Sequence, residues 1–284
     1  MQPHSQITVP IVVIVIGAGA LHAAWNAIAK YLDDRLVGFA LIGVASTVGG
    51  GIVLALNGLP YRASIGFAVA SAAIHVGYEL ALMNSYRLGA FNQVYPIARG
   101  TAPLLVAVGA YLVAGEHLGA LPLAGVAILA AGLVSLALSG GRLTGSELPA
   151  VAAAALTGVA IAGYTIVDGL GVRRAHDPYA YAGLLFLLMG PVFPVVAAFR
   201  RPAMSWLAGR AAGQGLLAGT LSLIAYSAVL WAQTRAPLAE VAAIRETSVV
   251  FAALIGMRLF AERFGVRRVA AACLVAAGIL LISA

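Results

Sequence analysis

The chain has 284 residues, of which 62% are apolar and only 10% charged, against roughly 45–50% and 25% in an average soluble domain. With a mean hydropathy of +0.99 it has too few charged side chains to cover a water-facing surface of this size, which excludes a soluble globular protein. The net charge of +7 comes from 17 basic residues set singly or in pairs between apolar runs; without a basic stripe they point away from nucleic acid and read as membrane-end anchors.

A bilayer core about 30 Å thick needs about 20 apolar residues of helix. Cutting the chain where charge, proline or glycine interrupts runs of that length predicts ten spans: Ile7–Ala29, Leu36–Asn57, Ser64–Tyr86, Phe91–Val113, Leu121–Ser139, Leu148–Gly171, Tyr179–Phe199, Ala211–Gln233, Pro237–Leu259 and Phe264–Ser283. The leader Met1–Gln6 carries no Lys or Arg, so the first span is not expected to be a cleavable signal. All connections are short, so no soluble catalytic domain is expected and the functional groups belong within the membrane or at its edge. The lone cysteine, Cys273, excludes an intrachain disulfide and a cysteine-based metal site and reads as a small packing residue.

The chain resembles itself. Arg99, Thr101, Ala107, Glu116, Gly119, Ala124, Ala130, Ala131 and Gly132 recur 146 residues later as Arg245, Thr247, Ala253, Glu262, Gly265, Ala270, Ala276, Ala277 and Gly278. Spans four and five thus repeat as nine and ten, and span one repeats as six at an offset of 142. Each half holds an odd number of spans, so the second copy is expected to enter the membrane from the opposite side. This makes an all-α membrane protein of ten transmembrane helices in two inverted five-helix repeats, residues 1–140 and 141–284. Inverted repeats place a site near the midplane at their interface and permit alternating access.

Two inverted five-span halves, the stretch His22-Ala23-Ala24-Trp25-Asn26 ending span one, and a Glu closing each fourth span before a Gly-containing turn resemble the drug/metabolite transporter superfamily, EamA-type. The resemblance covers essentially the whole chain. It implies an exporter or exchanger of amino acids, related small metabolites or drugs, with a central cavity lined by spans one, three, four, six, eight and nine. The second copy lacks the His-Trp-Asn set, so a pseudo-symmetric site is not expected.

Ionisable residues deep in a span cost about 2.5–3.5 kcal/mol each and need a partner or a wet cavity. Glu79, Arg99, Arg245 and Glu246 are the deep ones. His75 and Glu79, four apart on span three, share a helical face and form a candidate proton-coupling pair; the alternative is a local pair that ties spans together. Arg99 follows Tyr95-Pro96, with Pro103 one turn on, and the prolines are expected to loosen span four. Arg99 with Tyr95 could bind a substrate anion, or Arg99 could neutralise Glu79 or Glu246. Arg245 and Glu246 lie about 100° apart on a regular helix and are expected to find partners across spans, with Arg99–Glu246 and Arg245–Glu79 pairing allowed by charge count. Trp25 and Asn26 end span one, and Tyr164 and Asp168 end span six, one set toward each mouth of the pathway; interfacial anchoring is the plainer role for the aromatics.

Glu116 and Glu262 read as turn-stabilising, and Glu240, one turn into span nine, as solvated. Ala127, Ala131, Ala272 and Ala276 form small-residue stripes expected to join repeats or protomers, and Pro191 and Pro194 are expected to kink span seven. No nucleotide loop, zinc spacing or nucleophile elbow is present, so no cofactor and no metal are expected.

The leading reading is a secondary transporter of a small polar or zwitterionic solute such as an amino acid, in a bacterial inner membrane, as a monomer or homodimer in contact with lipid. The alternative is an intramembrane enzyme on a lipid or prenyl head group, with His75, Glu79 and Arg99 as acid, base and phosphate clamp. Counting loop charges places eleven Lys and Arg on one side and four on the other, which makes the first side cytoplasmic and both termini external. A phosphatase or fluorescent reporter fused after Ala284 is expected to report an external C-terminus; a cytoplasmic readout would reverse the orientation and leave the repeat intact.

Overall fold

The computed structural model describes residues 7–32, 34–88, 91–137, 148–201, 207–260 and 266–282, and among these there is helix and no strand. In chain order the helices are α1 (Val9–Tyr31), α2 (Arg35–Asn57), α3 (Arg62–Leu88), α4 (Phe91–Gly109, continued by a π turn over Ala110–Ala114), α5 (Ala120–Ala137) and α6 (Leu148–Val172). They continue with α7 (Pro178–Met189), α8 (Val192–Arg200), α9 (Gly209–Gln233), α10 (Leu238–Arg245), α11 (Ser248–Phe260) and α12 (Val266–Ile282). Seven stretches are long and apolar enough to cross a membrane: Val9–Ala29, Arg35–Asn57, Arg62–Ser85, Ile97–Ala114, Leu148–Val172, Pro178–Arg200 and Gly209–Gln233. Shorter apolar helices occupy Ala120–Ser135 and Cys273–Ile282.

Side chains are distributed as lipid requires. Leu56, Phe199 and Leu112 are more than two-thirds exposed on the outside, whereas Arg99, Asp168, Arg245 and Glu246 are buried. Charges that cannot face hydrocarbon collect where other helices can satisfy them.

The stretch expected as one span over Pro237–Leu259 is two helices. α10 ends at Arg245, and the chain turns through Glu246 and Thr247 with short i→i+3 bonds: Glu246 N–H to Ala243 O, Thr247 N–H to Ile244 O and Val249 N–H to Glu246 O, each 3.0 Å. Such tightening marks a local departure from α geometry. Gly19 of α1 faces this turn, and a methyl group on it would lie 3.2 Å from Ser248 N and 3.3 Å from Arg245 O. Glycine lets α1 approach the backbone of the break directly.

Span four departs from expectation in the other direction. α4 runs unbroken through Pro96 and Pro103, and its irregularity comes later, in the π turn that closes at Gly115 in the left-handed region (φ 66°). Pro191 does interrupt the seventh segment, standing at the N-cap of α8; Pro194 lies in the first turn of α8, where its missing N–H removes no helical bond.

Helices cross closely at glycines. A methyl on Gly50 of α2 would lie 2.9 Å from Gly183 O of α7, and one on Gly125 of α5 would lie 2.6 Å from Gly278 O of α12. Ala271 O similarly stands 3.3 Å from where Gly132 would carry its Cβ. The alanine stripe expected to join repeats or protomers makes no such contact within the chain where it is described: Ala127, Ala131 and Ala276 are exposed, and the side chain of Ala272 lies outside the described residues. Cys273 is likewise exposed rather than packed.

Because the α5–α12 crossing has no room for a side chain, Gly125→Val is expected to destabilise the protein by about 1–3 kcal/mol through overpacking. Ala127→Val, on the exposed face, is expected to change stability by less than about 0.5 kcal/mol. Thermal unfolding of the two variants in the same detergent checks the contrast.

Candidate functional site

The deepest charges are brought together by α4 and the α10–α11 break. Arg99 Nη1 donates to Glu246 Oε1 at 3.1 Å and to Oε2 at 3.5 Å, with both side chains buried. Arg99 Nη2 also meets His22 Nε2 of α1, and His22 Nδ1 accepts from the Trp25 indole N–H at 3.1 Å. The expected pairing of Arg99 with Glu246 is therefore present. Arg245 does not reach Glu79: its Nε lies 3.8 Å from Glu246 Oε1, an ion pair too long for a hydrogen bond. Arg245 and Glu246, expected to look only to other spans, thus also come within ion-pair range of each other.

Arg245 is 3% exposed and donates no hydrogen bond among the described residues; its Nε is enclosed without a partner. Its Cζ stands 5.9 Å from the centre of the Tyr164 ring, at the outer edge of a cation–π contact. Tyr164 leads to a second group. The His75 ring stacks on Tyr164 with centroids 4.0 Å apart, and Tyr226 meets both edge-on.

Asp168 anchors that second group. Fully buried on α6, it accepts from Tyr181 O–H at 2.9 Å and from Tyr226 O–H at 2.5 Å. His75 Nδ1 lies 3.0 Å from Ser71 O and 3.1 Å from Ser71 Oγ, so the imidazole is turned along its own helix and onto Tyr164. The expected His75–Glu79 pair is absent. Glu79 is half-buried and makes no hydrogen bond or ion pair among the described residues.

Of the residues singled out from the sequence, Trp25, His75, Arg99, Tyr164, Asp168, Arg245 and Glu246 thus join one continuous series of contacts. It runs from Trp25 through His22, Arg99, Glu246, Arg245, Tyr164 and His75 to Tyr226 and Asp168. Asn26 stays outside it, with its amide donating to His22 O at 2.8 Å within α1. Tyr95 lies on α4, but its side chain falls outside the described residues. The sequence reading missed His22 as a site residue, and Tyr181 and Tyr226 altogether. A buried carboxylate at Asp168 demands donors, yet nothing local indicates that they come from α7 and α9.

At the end of the molecule where α6 finishes, Glu116 does more than stabilise its turn. It pairs with Arg173 (2.6 Å) and accepts from Leu238 N–H (2.8 Å), while Arg173 donates to Gln233 O and Ala236 O at 2.8 and 2.9 Å. Tyr61 N–H reaches Ala175 O at 3.2 Å and its ring stacks on His176. Glu240 is buried rather than solvated, being 6% exposed with Oε2 unpartnered. At the opposite end Asp34 and Arg201 form an exposed ion pair, of the kind that contributes little.

Residues 148–284 match the EamA-like transporter family. That stretch is similar to an EamA segment, and together with the apolar helices it indicates an integral, multi-pass membrane protein. No curated protein matches the sequence. A solved structure described as "Crystal structure of protein" superposes with a TM-score of 0.76 over 96% of this chain and 98% of its own, at 17% identity. That likeness establishes a shared fold for the EamA-like segment and the half that precedes it.

Removing one member of a buried ion pair leaves an uncompensated charge, at a cost of about 3–5 kcal/mol. Glu246→Gln is therefore expected to lower the unfolding temperature strongly. Adding Arg99→Gln should recover part of the loss, because the double variant buries one guanidinium fewer. If the double variant is no more stable than the single one in a thermal double-mutant cycle, Arg99 and Glu246 are not energetically coupled.

Proposed function

We propose that the protein is a secondary transporter that moves a small polar or zwitterionic metabolite, such as an amino acid, as an exporter or exchanger in a bacterial inner membrane. Its ten spans form two inverted repeats, residues 1–140 and 141–284, with α7–α8 and α10–α11 each counting as one broken span. The helix pairings support this arrangement. Exchanging each span for its partner five places on turns α1·α9 into α6·α3, α4·α6 into α11·α1 and α2·α9 into α7·α3, and returns α2·α7 and α5·α12 to themselves; all of these pairs are in contact. The 146-residue offset behaves likewise at the α5–α12 crossing, where the Gly132–Ala271 approach maps onto Gly278–Gly125. Both self-paired crossings are made at glycines, Gly50 with Gly183 and Gly125 with Gly278.

One observation carries the functional reading: the buried ionisable and aromatic side chains come from both halves and meet at the interface between them. Charges at membrane depth mark solute and ion pathways, and the interface of inverted repeats is where a transporter binds its solute. Trp25, His75, Arg99, Tyr164, Asp168, Arg245 and Glu246 are the binding set, with Asn26 and Tyr95 at its margins. The ties of Glu116, Arg173, Tyr61 and His176 join four inter-helix connections at one end. That supports alternating access with this end closed. The enzyme alternative gains nothing from the geometry, since Arg99 is taken up by Glu246 and His22 and stands apart from Glu79.

Proton coupling falls to Glu79. It is half-buried and unpaired among the described residues, whereas Glu246 and Asp168 are each held by two partners or more. In proteoliposomes, Glu79→Gln is expected to abolish uptake driven by a pH gradient while preserving solute binding that no longer varies with pH. Wild-type uptake that ignores both the gradient and a protonophore, while following an imposed solute gradient, would make the protein a facilitator or exchanger. Lipid turnover without solute uptake by the same preparation would sink the transporter reading itself.

A further inference from the structure

The two arginines at matching repeat positions are not equivalent. Arg99 is fixed between Glu246 and His22, but Arg245 brings a second buried side chain to the same place with a long contact to Glu246 and no hydrogen bond among the described residues, its Nε enclosed without a partner. A guanidinium presents five N–H donors in a planar fork, and enclosing it unbonded is expensive unless an acceptor arrives. Among the described residues the carboxylate paired with it is Glu246, already engaged by Arg99 and 3.8 Å away. Asp168 lies beyond Tyr164 and His75, with its oxygens taken by Tyr181 and Tyr226.

We propose that Arg245 receives the anionic group of the transported solute, and that this group is a carboxylate. The inference rests on the transporter reading and sharpens it to a substrate class. Charge decides the valence. Among the described residues, Arg99, Arg245 and Glu246 sum to one positive charge, which a single carboxylate cancels and a phosphate dianion overshoots. Geometry decides the shape, because a carboxylate fits the guanidinium fork with two parallel bonds. The rings of Tyr164, His75 and Tyr226 then lie beside the anchored group, as a surface for the solute's apolar body. Arg99 is a positioning residue here, holding the Glu246 carboxylate away from full pairing with Arg245.

The test uses the full chain in lipid nanodiscs, with benzoate, its neutral isostere benzamide, phosphate and chloride as probes, read by thermal unfolding. Benzoate is expected to raise the wild-type unfolding temperature in a concentration-dependent way, with benzamide, chloride and phosphate inert. Arg245→Lys keeps the charge and loses the fork, so benzoate affinity should fall about tenfold or more while the unliganded unfolding temperature changes little. The wild-type benzoate–benzamide contrast needs no variant and stands even if Arg245→Lys folds poorly. Equal stabilisation by benzoate and benzamide, no stabilisation by benzoate, stabilisation by chloride or phosphate instead, or wild-type benzoate affinity in Arg245→Lys would each overturn the proposal. Counterflow in proteoliposomes separates the two levels. A neutral solute exchanged at the wild-type rate by Arg245→Lys removes Arg245 and keeps the transporter; benzoate binding with no counterflow of any solute keeps the anion site and removes the transporter.

Discussion

One carboxylate, Glu246, organises the centre of this protein. Each buried charge in a membrane needs a countercharge, and Glu246 serves two arginines from opposite halves of the chain: Arg99 through short bonds, Arg245 through a longer contact. That demand accounts for the local backbone. α10 ends at Arg245, and the tight turn through Glu246 and Thr247 carries both charged side chains to the Arg99 side of the molecule. Gly19 follows from the break, since α1 must press on bare backbone to keep it covered. His22 and Trp25, one and two turns further along α1, are thereby brought to Arg99.

The second pole is chemically opposite. Asp168 is an acceptor whose two oxygens take hydroxyl donors from Tyr181 and Tyr226. Between this pole and the arginines stand Tyr164 and His75, stacked 4.0 Å apart. The interior therefore has a cationic side and an acceptor side divided by aromatic faces.

Much of this was legible from residue types and spacing, and the failures share a cause. The apolar runs marked the helices, and the scarcity of charge singled out Arg99, Arg245 and Glu246 and allowed the Arg99–Glu246 pair. Each misreading assumed that a helix stays regular or that a side chain looks to its nearest neighbour. Arg245 and Glu246 were separated by an ideal helix that does not exist there. His75 was matched to Glu79 by i,i+4 spacing, but its ring stacks on Tyr164 of α6 and its Nδ1 bonds to Ser71. Glu240 was taken as shallow, yet tertiary packing buries it against the same end of the molecule as Glu116. Tyr181 and Tyr226 were invisible because they come to Asp168 from 13 and 58 residues away, a distance no local pattern spans.

The asymmetry between the halves follows from the same physics. Two copies of an arginine at equivalent positions would, in a symmetric molecule, require two carboxylates or leave two unpaired cations. Here position 246 carries Glu where the first half has Gly100, so one carboxylate is shared and one guanidinium is left without a hydrogen bond. Gly100 also marks where α4 stays helical while the ninth segment breaks. A methyl on Gly100 would lie 3.0 Å from Leu133 Cβ and 3.4 Å from Ala130 O, so α4 packs tightly on α5 at that turn, while Glu246 must face the opposite arginine and the chain yields to let it. Glu246 against Gly100 and Tyr164 against His22 leave the two arginines in different surroundings: Arg99 is held by Glu246 and His22, and Arg245 lies beside Glu246 and Tyr164.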